Sequence, residues 1–91
     1  MLKIRKTSRF KKDLKRIIKQ GYDINLFEEV VRNLVAQIPL EDKYQDHALK
    51  GDKLGFRECH IKPDWLLIYL INNEELILTL SRTGSHSDLF E

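Results

Sequence analysis

Five side chains in the second half of the chain have types that suit proton transfer and phosphate binding. His47 lies in QDHALKG, His60 and Asp64 in ECHIKPDW, and Arg82 and His86 in SRTGSH. Histidine titrates nearest neutrality and can accept or donate a proton, while a carboxylate can accept one or orient an imidazole. Arginine offers an always-charged fork for phosphate oxygens. An RNA 2′-hydroxyl attacking its own phosphate needs a proton acceptor, positive charge for the phosphorane and an acid for the departing 5′-oxygen. Each such element is worth on the order of 10²–10⁴ in rate.

Each residue also has a purely structural reading. His60 could be a half-exposed strand histidine, Asp64 a turn residue, Trp65 a core residue and Arg82 an ion-pair partner at a sheet edge. A metal site built on Cys59 and the histidines is disfavoured, because Cys59 and His60 alternate to opposite faces of a strand. No CxxC or HxxxH spacing is present either. No nucleophile elbow, P-loop or paired-carboxylate motif competes.

The elements that must position these groups follow from periodicity. Leu2, Ile4 and Lys6 begin a short strand, and Thr7 or Ser8 can cap a helix. Phe10, Leu14, Ile17 and Ile18 form one helical stripe, ended at Gly21. Asp23 can cap a second helix whose stripe runs from Phe27 to Ile38 before Pro39 stops it. Residues 39–55 show no sustained period, so His47 is expected in a long loop. Phe56 to Ile61 alternates, Trp65 to Ile71 is apolar on both faces and belongs mid-sheet, and Leu76, Leu78 and Leu80 line a last strand. A short tail follows, ending at Leu89 and Phe90.

The expected architecture is α+β, in the order β-α-α-β-β-β, with an antiparallel helix hairpin on one face of a small, mainly antiparallel sheet. In an up-down-up meander, His60, Asp64, Arg82 and His86 converge at one sheet end. Strict alternation puts Arg82 on the face of Leu80, so it reaches that site only if the strand ends or twists.

The 91 residues suffice for one domain, 1–91. The longest apolar run, Trp65 to Ile71, is far too short to span a bilayer, and no leader pattern opens the chain. One cysteine cannot form an internal disulfide, so a cytoplasmic setting is expected. The net charge of +2 hides an asymmetry, because residues 1–20 carry +8 and the rest −6. Lys11, Lys12, Lys15, Arg16 and Lys19 then form either a patch for an RNA backbone or a solvated helix face.

Taken together, QDHALKG at 45–51, GFRECHIKPDWLLIY at 55–69 and SRTGSHSDLF at 81–90 resemble the YafQ branch of the RelE/ParE toxin superfamily. The resemblance implies a RelE-like fold and a ribosome-dependent messenger-RNA endonuclease needing no metal or cofactor. Its implied partners are messenger RNA, the ribosome and a cognate antitoxin, with no membrane. It places catalytic roles on His47, His60, Asp64, Arg82 and His86, and supporting or stacking roles on Trp65 and Phe90. His86 is the expected general acid, His60 with Asp64 the proton-accepting side, and Arg82 the phosphorane stabiliser. Rival readings are a ParE-like gyrase inhibitor and a non-catalytic RNA- or ribosome-binding module on the same fold.

Overall fold

The N-terminal segment is a strand, β1 (Lys3–Lys6), that runs into α1 (Ser8–Lys19). Thr7 accepts from the Phe10 N–H at 3.0 Å, giving an otherwise orphaned first-turn donor a partner. Gly21, at φ +82°, lets the chain reverse immediately after the helix. Asp23 caps α2 (Ile24–Val35) through the Asn25 N–H. A computed structural model of the chain describes residues 1–90 in this way.

The rest of the chain supplies β2 (His47–Ala48), β3 (Arg57–Lys62), β4 (Trp65–Asn72), β5 (Ile77–Gly84) and a short α3 (His86–Phe90). The sheet order is β1-β5-β4-β3-β2, antiparallel throughout except for the parallel β1–β5 pair. β4, the most apolar strand, takes the centre. Its Trp65, Leu67 and Tyr69 join Cys59, Ile61, Leu78 and Leu80 in one core with Phe10, Ile17, Phe27, Val30, Val31 and Leu34 of the helices. Leu66 and Ile68 are as deeply buried but face the other way, between His60 and Gly84 and between Glu58 and Arg82 in the cross-strand rows.

The architecture is the expected α+β arrangement, with four local differences. The 39–55 stretch is not structureless: it contains 3-10 turns at Asp42–Tyr44 and Gly51–Lys53, and His47 sits on the edge strand β2. The sheet therefore has five strands, and the expected tail is α3. Ile18 and Ile38, assigned above to the apolar stripes, are about half exposed, and α2 ends at Val35. The inward position on α1 between Phe10 and Ile17 belongs instead to Asp13.

The fourth difference is a β-bulge. Tyr69 pairs with Leu80, but the preceding residue of β4, Ile68, pairs with Arg82. Ser81 is the extra residue, its carbonyl accepting the Thr7 hydroxyl at 2.8 Å. A bulge shifts the two-residue alternation by one. Arg82 is thereby turned to the face of Glu58 and Ile68, away from that of Leu80.

Candidate active site

β2 and β3 set the first part of the site. His47 pairs with Glu58 across the ladder, and Glu58 and His60 share a face by strand alternation. Glu58 is buried, with its Oε1 3.5 Å from His60 Nε2 and 3.9 Å from His47 Nε2. The other ring nitrogens point at carbonyls: His47 Nδ1 lies 2.7 Å from the Gln45 oxygen and His60 Nδ1 3.3 Å from the Pro63 oxygen. A carbonyl only accepts, so each Nδ1 carries a proton, and each Nε2 faces the Glu58 carboxylate.

The turn between β3 and β4 and the start of α3 set the second part. Asp64 Oδ1 accepts both the backbone N–H and the Nδ1–H of His86, each at 3.1 Å. The backbone N–H and then the imidazole hold the Asp64 carboxyl below the usual carboxylate range. The four rings line up in sequence: His47 to His60 at 6.4 Å between centroids, His60 to His86 at 5.9 Å, and His86 to Phe90 at 6.2 Å. Both His86 and Phe90 are exposed.

Of the sequence candidates, His47, His60, Asp64, His86 and Phe90 thus gather on one surface. The pairing differs from expectation, because Asp64 binds His86, and the acid beside His60 is Glu58. Trp65 is not a stacking platform. It is 2 % exposed, meets the Tyr22 ring edge-on at 4.9 Å and donates from Nε1 to Thr83 Oγ1 at 2.9 Å. That bond supports the β5 segment leading to His86.

Arg82 reaches the site face through the bulge, but its guanidinium is already engaged. Nε and Nη2 donate to the two oxygens of Asp13 at 2.7 and 3.2 Å, and the Thr83 N–H donates to Asp13 at 3.2 Å. Asp13 holds the Arg82 guanidinium protonated beyond its already high value, against an opposing effect of burial. Nη1 has no hydrogen-bond partner among the described residues and is not buried, so one edge of the fork stays free.

Arg16 likewise leaves the basic patch. It pairs with Asp13 at 3.2 Å and Asp88 at 3.5 Å and donates to the Thr83 carbonyl at 3.3 Å. It therefore ties α1 to α3 instead of facing solvent as one more cation. Gly84 makes room for this: a Cβ there would lie 2.8 Å from Arg16 Nη2, and its φ of +150° suits only glycine. Lys11, Lys12, Lys15 and Lys19 are exposed as expected.

Sequence reasoning missed three parts of this arrangement. Asp13 was visible as the one acid among nine basic residues, on the inward helical stripe. Glu58 was visible by its position two residues before His60. Nothing local announced the Asp46–Arg57–Tyr69 cluster, in which Arg57 donates twice to Asp46 and the Tyr69 hydroxyl donates to the same carboxylate. It anchors the residue preceding His47.

The match to known proteins is close over the whole length. A family model described as the bacterial toxin of type II toxin–antitoxin systems, YafQ, matches residues 2–91. The chain belongs to the YafQ toxin family. The mRNA interferase toxin YafQ of Escherichia coli K12 is 35 % identical over 85 residues, 92 % of this chain and 90 % of that one. A metal-bound toxin from Helicobacter pylori superposes with a TM-score of 0.93 at 52 % identity, covering 99 % of this chain and 100 % of that one. YafQ in the E. coli DinJ–YafQ complex superposes with a TM-score of 0.90 at 34 % identity, with both chains fully covered.

In this YafQ-family chain, Glu58 with the Nε2 atoms of His47 and His60 comes nearest to a ligand set. Among the described residues, however, no three His, Cys, Asp or Glu side chains are gathered closely enough to hold an ion. Cys59 is a core residue whose thiol burial pushes up to about 12, so it stays protonated at neutral pH. The folded chain is expected to resist iodoacetamide at pH 8, whereas the urea-unfolded chain reacts at one site, as intact-mass spectrometry would record. Rapid alkylation of the folded chain would contradict that burial.

Proposed function

We propose that this type II toxin cuts messenger RNA by 2′-hydroxyl attack on the adjacent phosphate, with His60 and His86 on opposite sides of the phosphorus. The observation that carries this reading is the 5.9 Å between the His60 and His86 ring centroids, each ring with a carboxylate beside it. In-line displacement needs a proton acceptor beside the attacking oxygen and a proton donor beside the leaving one. His60 Nε2 takes the 2′-hydroxyl proton, and the Glu58 carboxylate, 3.5 Å from the same nitrogen, stabilises the charge the ring gains. His86 Nε2, its ring oriented through Nδ1 by Asp64, protonates the departing 5′-oxygen. The P–O5′ bond breaks as the O2′–P bond forms, leaving a 2′,3′-cyclic phosphate and a 5′-hydroxyl.

His47 Nε2 shares Glu58 with His60 and supports the proton-accepting side. Arg82, held by Asp13, offers Nη1 to a phosphorane oxygen. Trp65 supports the site from the core, and Phe90 lies beside His86 for contact with a base. No step in this scheme uses a metal or cofactor. The whole chain acts as one domain on ribosome-bound message in the cytoplasm. A cognate antitoxin neutralises it by covering the imidazole row. No helix among the described residues is long and apolar enough to cross a membrane.

The test is to add the purified chain to ribosomes programmed with a defined message and map the new 5′ ends. New ends carrying 5′-hydroxyl groups, absent with the His86→Ala variant, support the reading. Intact transcripts, or 5′-phosphate ends, would overturn it. Arrest of growing cells with DNA breaks and uncut messages would favour gyrase inhibition instead.

Lys11, Lys12, Lys15 and Lys19 supply the non-specific part of RNA binding. Ribosome affinity is then expected to fall linearly in log–log form with salt, and each Lys→Ala change to reduce the slope by roughly 0.7–0.9. Filter binding across 50–300 mM KCl measures this, and a slope unchanged in all four variants would return the lysines to the solvated-face reading.

A further inference from the structure

The free edge of β3 opens on a cavity that the roles above do not use. Its volume is about 470 Å³, with Lys43, Tyr44 and Gln45 on one side and His60, Lys62 and Pro63 on the other. Because β2 is only His47–Ala48, its pairing ends at Glu58, one alternation short of His60. On this edge the Leu49 N–H donates to the Phe56 carbonyl at 2.9 Å. The two-residue period turns the backbone N–H and C=O of Glu58 and His60 the same way, so those of His60 face the open edge. Unpaired edge groups are ready hydrogen-bonding partners for whatever lies alongside.

The walls have the chemistry of a nucleotide site. Tyr44, half-buried against the core, lines the cavity, with the Lys43 ammonium 5.2 Å from its ring centroid and only loosely paired to Glu41 at 3.8 Å. Lys62 is exposed on the opposite wall. Gln45 between them has a left-handed backbone, φ 47° and ψ 44°, a conformation that strains a non-glycine residue. Its carbonyl holds His47 Nδ1. The cavity thus touches the imidazole row twice, through the His60 ring and through the residue that orients His47. Its size falls in the ordinary range for small-ligand sites. Single-stranded RNA is read by aromatic stacking, hydrogen bonds to base edges and cations on the backbone.

We propose that this cavity binds the base of the nucleotide next to the scissile phosphate. Tyr44 stacks on the base, the Gln45 amide and the His60 main chain read its edge, and Lys43 and Lys62 hold the neighbouring phosphate. This rests on the nuclease reading above and deepens it, by assigning the place where base preference at the cut is set.

Two measurements test it. The first maps 5′ ends over a randomised message pool on ribosomes, for the wild type, Gln45→Gly, Tyr44→Ala and Lys62→Glu. Gln45→Gly removes the amide while suiting the left-handed backbone, so it keeps the test valid even where Tyr44→Ala unfolds. Expected are a flattened base preference at one flanking position for Gln45→Gly and Tyr44→Ala, and a KM raised roughly tenfold or more for Tyr44→Ala, the range one stacked base supplies. Lys62→Glu raises KM with the base preference intact. In all three, kcat changes far less than in His86→Ala.

The second measurement titrates the four nucleoside 3′-monophosphates into the wild-type chain without ribosomes and follows the Tyr44 and His60 NMR signals. Shifts confined to these residues and their neighbours, lost in Lys62→Glu, support the site. Unchanged base frequencies and KM in all three variants, with wild-type cleavage intact, overturn this proposal alone. If the wild type cuts nothing, the nuclease reading fails. The titration then decides the subsite by itself, with no shifts at Tyr44 or His60 counting against it.

Discussion

Replacing His86 by alanine is expected to slow single-turnover RNA cleavage by on the order of 10²–10⁴-fold, with the fold intact. The ring is exposed and meets Asp64 and the His60 and Phe90 rings, so its removal leaves no cavity and no buried unpaired group. Asp64→Asn should cost less, because an amide oxygen can still accept from the His86 backbone N–H and ring but brings no negative charge to them. If Asp64 orients His86, the double variant should be no slower than His86→Ala alone. Additive losses would show that Asp64 acts on the substrate by a separate route.

The pH behaviour follows from the depressed Asp64 carboxyl. An unfolded aspartate protonates near pH ~3.9, and the His86 backbone N–H and imidazole hold the folded value lower. The contact therefore contributes stability above the unfolded value and loses it as pH falls through the folded one. Asp64 is fully ionised throughout the neutral range. The acid limb of a pH–rate profile between pH 5 and 8 then belongs to other groups, and Asp64→Asn should change its height and leave the position of its midpoint. An acid limb displaced by that substitution would mean that Asp64 also acts on the group that takes the proton.

Asp13→Ala is expected to destabilise the chain by about 3–5 kcal/mol, the cost of removing one partner from a buried ion pair. Asp13 is 3 % exposed and meets Arg82, Arg16 and the Thr83 N–H at once. Its loss strands a guanidinium that is only 12 % exposed, together with a strand-edge N–H. For a domain of this size that is a large part of the total stability, and urea midpoints would show it directly. Asp13→Asn should fall between, since the amide oxygen still accepts one hydrogen bond. If Asp13→Ala costs under about 1 kcal/mol, the pair is no more than a surface bridge, and Arg82 is free to serve phosphate with its whole fork.

Several features were legible because their causes lie within a few residues. Thr7 and Asp23 cap helices through N–H groups two or three residues on. Gly21 supplies a positive φ, and alternation sends Cys59 and Ile61 inward and Glu58 and His60 outward. The apolar run of β4 announces the central strand. The motifs around His47, His60 and His86 carry the family on their own.

Tertiary structure alone decided who partners whom. Asp64 meets His86 across 22 residues and Arg82 meets Asp13 across 69, distances over which propensity and periodicity carry no information. Pairing β1 in parallel with β5, ending β2 after two residues and inserting Ser81 as a bulge each change which side chains share a face. A shift of one residue reverses a strand's faces, so alternation alone placed Arg82 beside Leu80, and the bulge moved it to the face of Glu58 and Ile68. The amino-acid order thus determined the elements and the reactive residue types, while strand register determined their contacts, because register is set by the packing of the whole core.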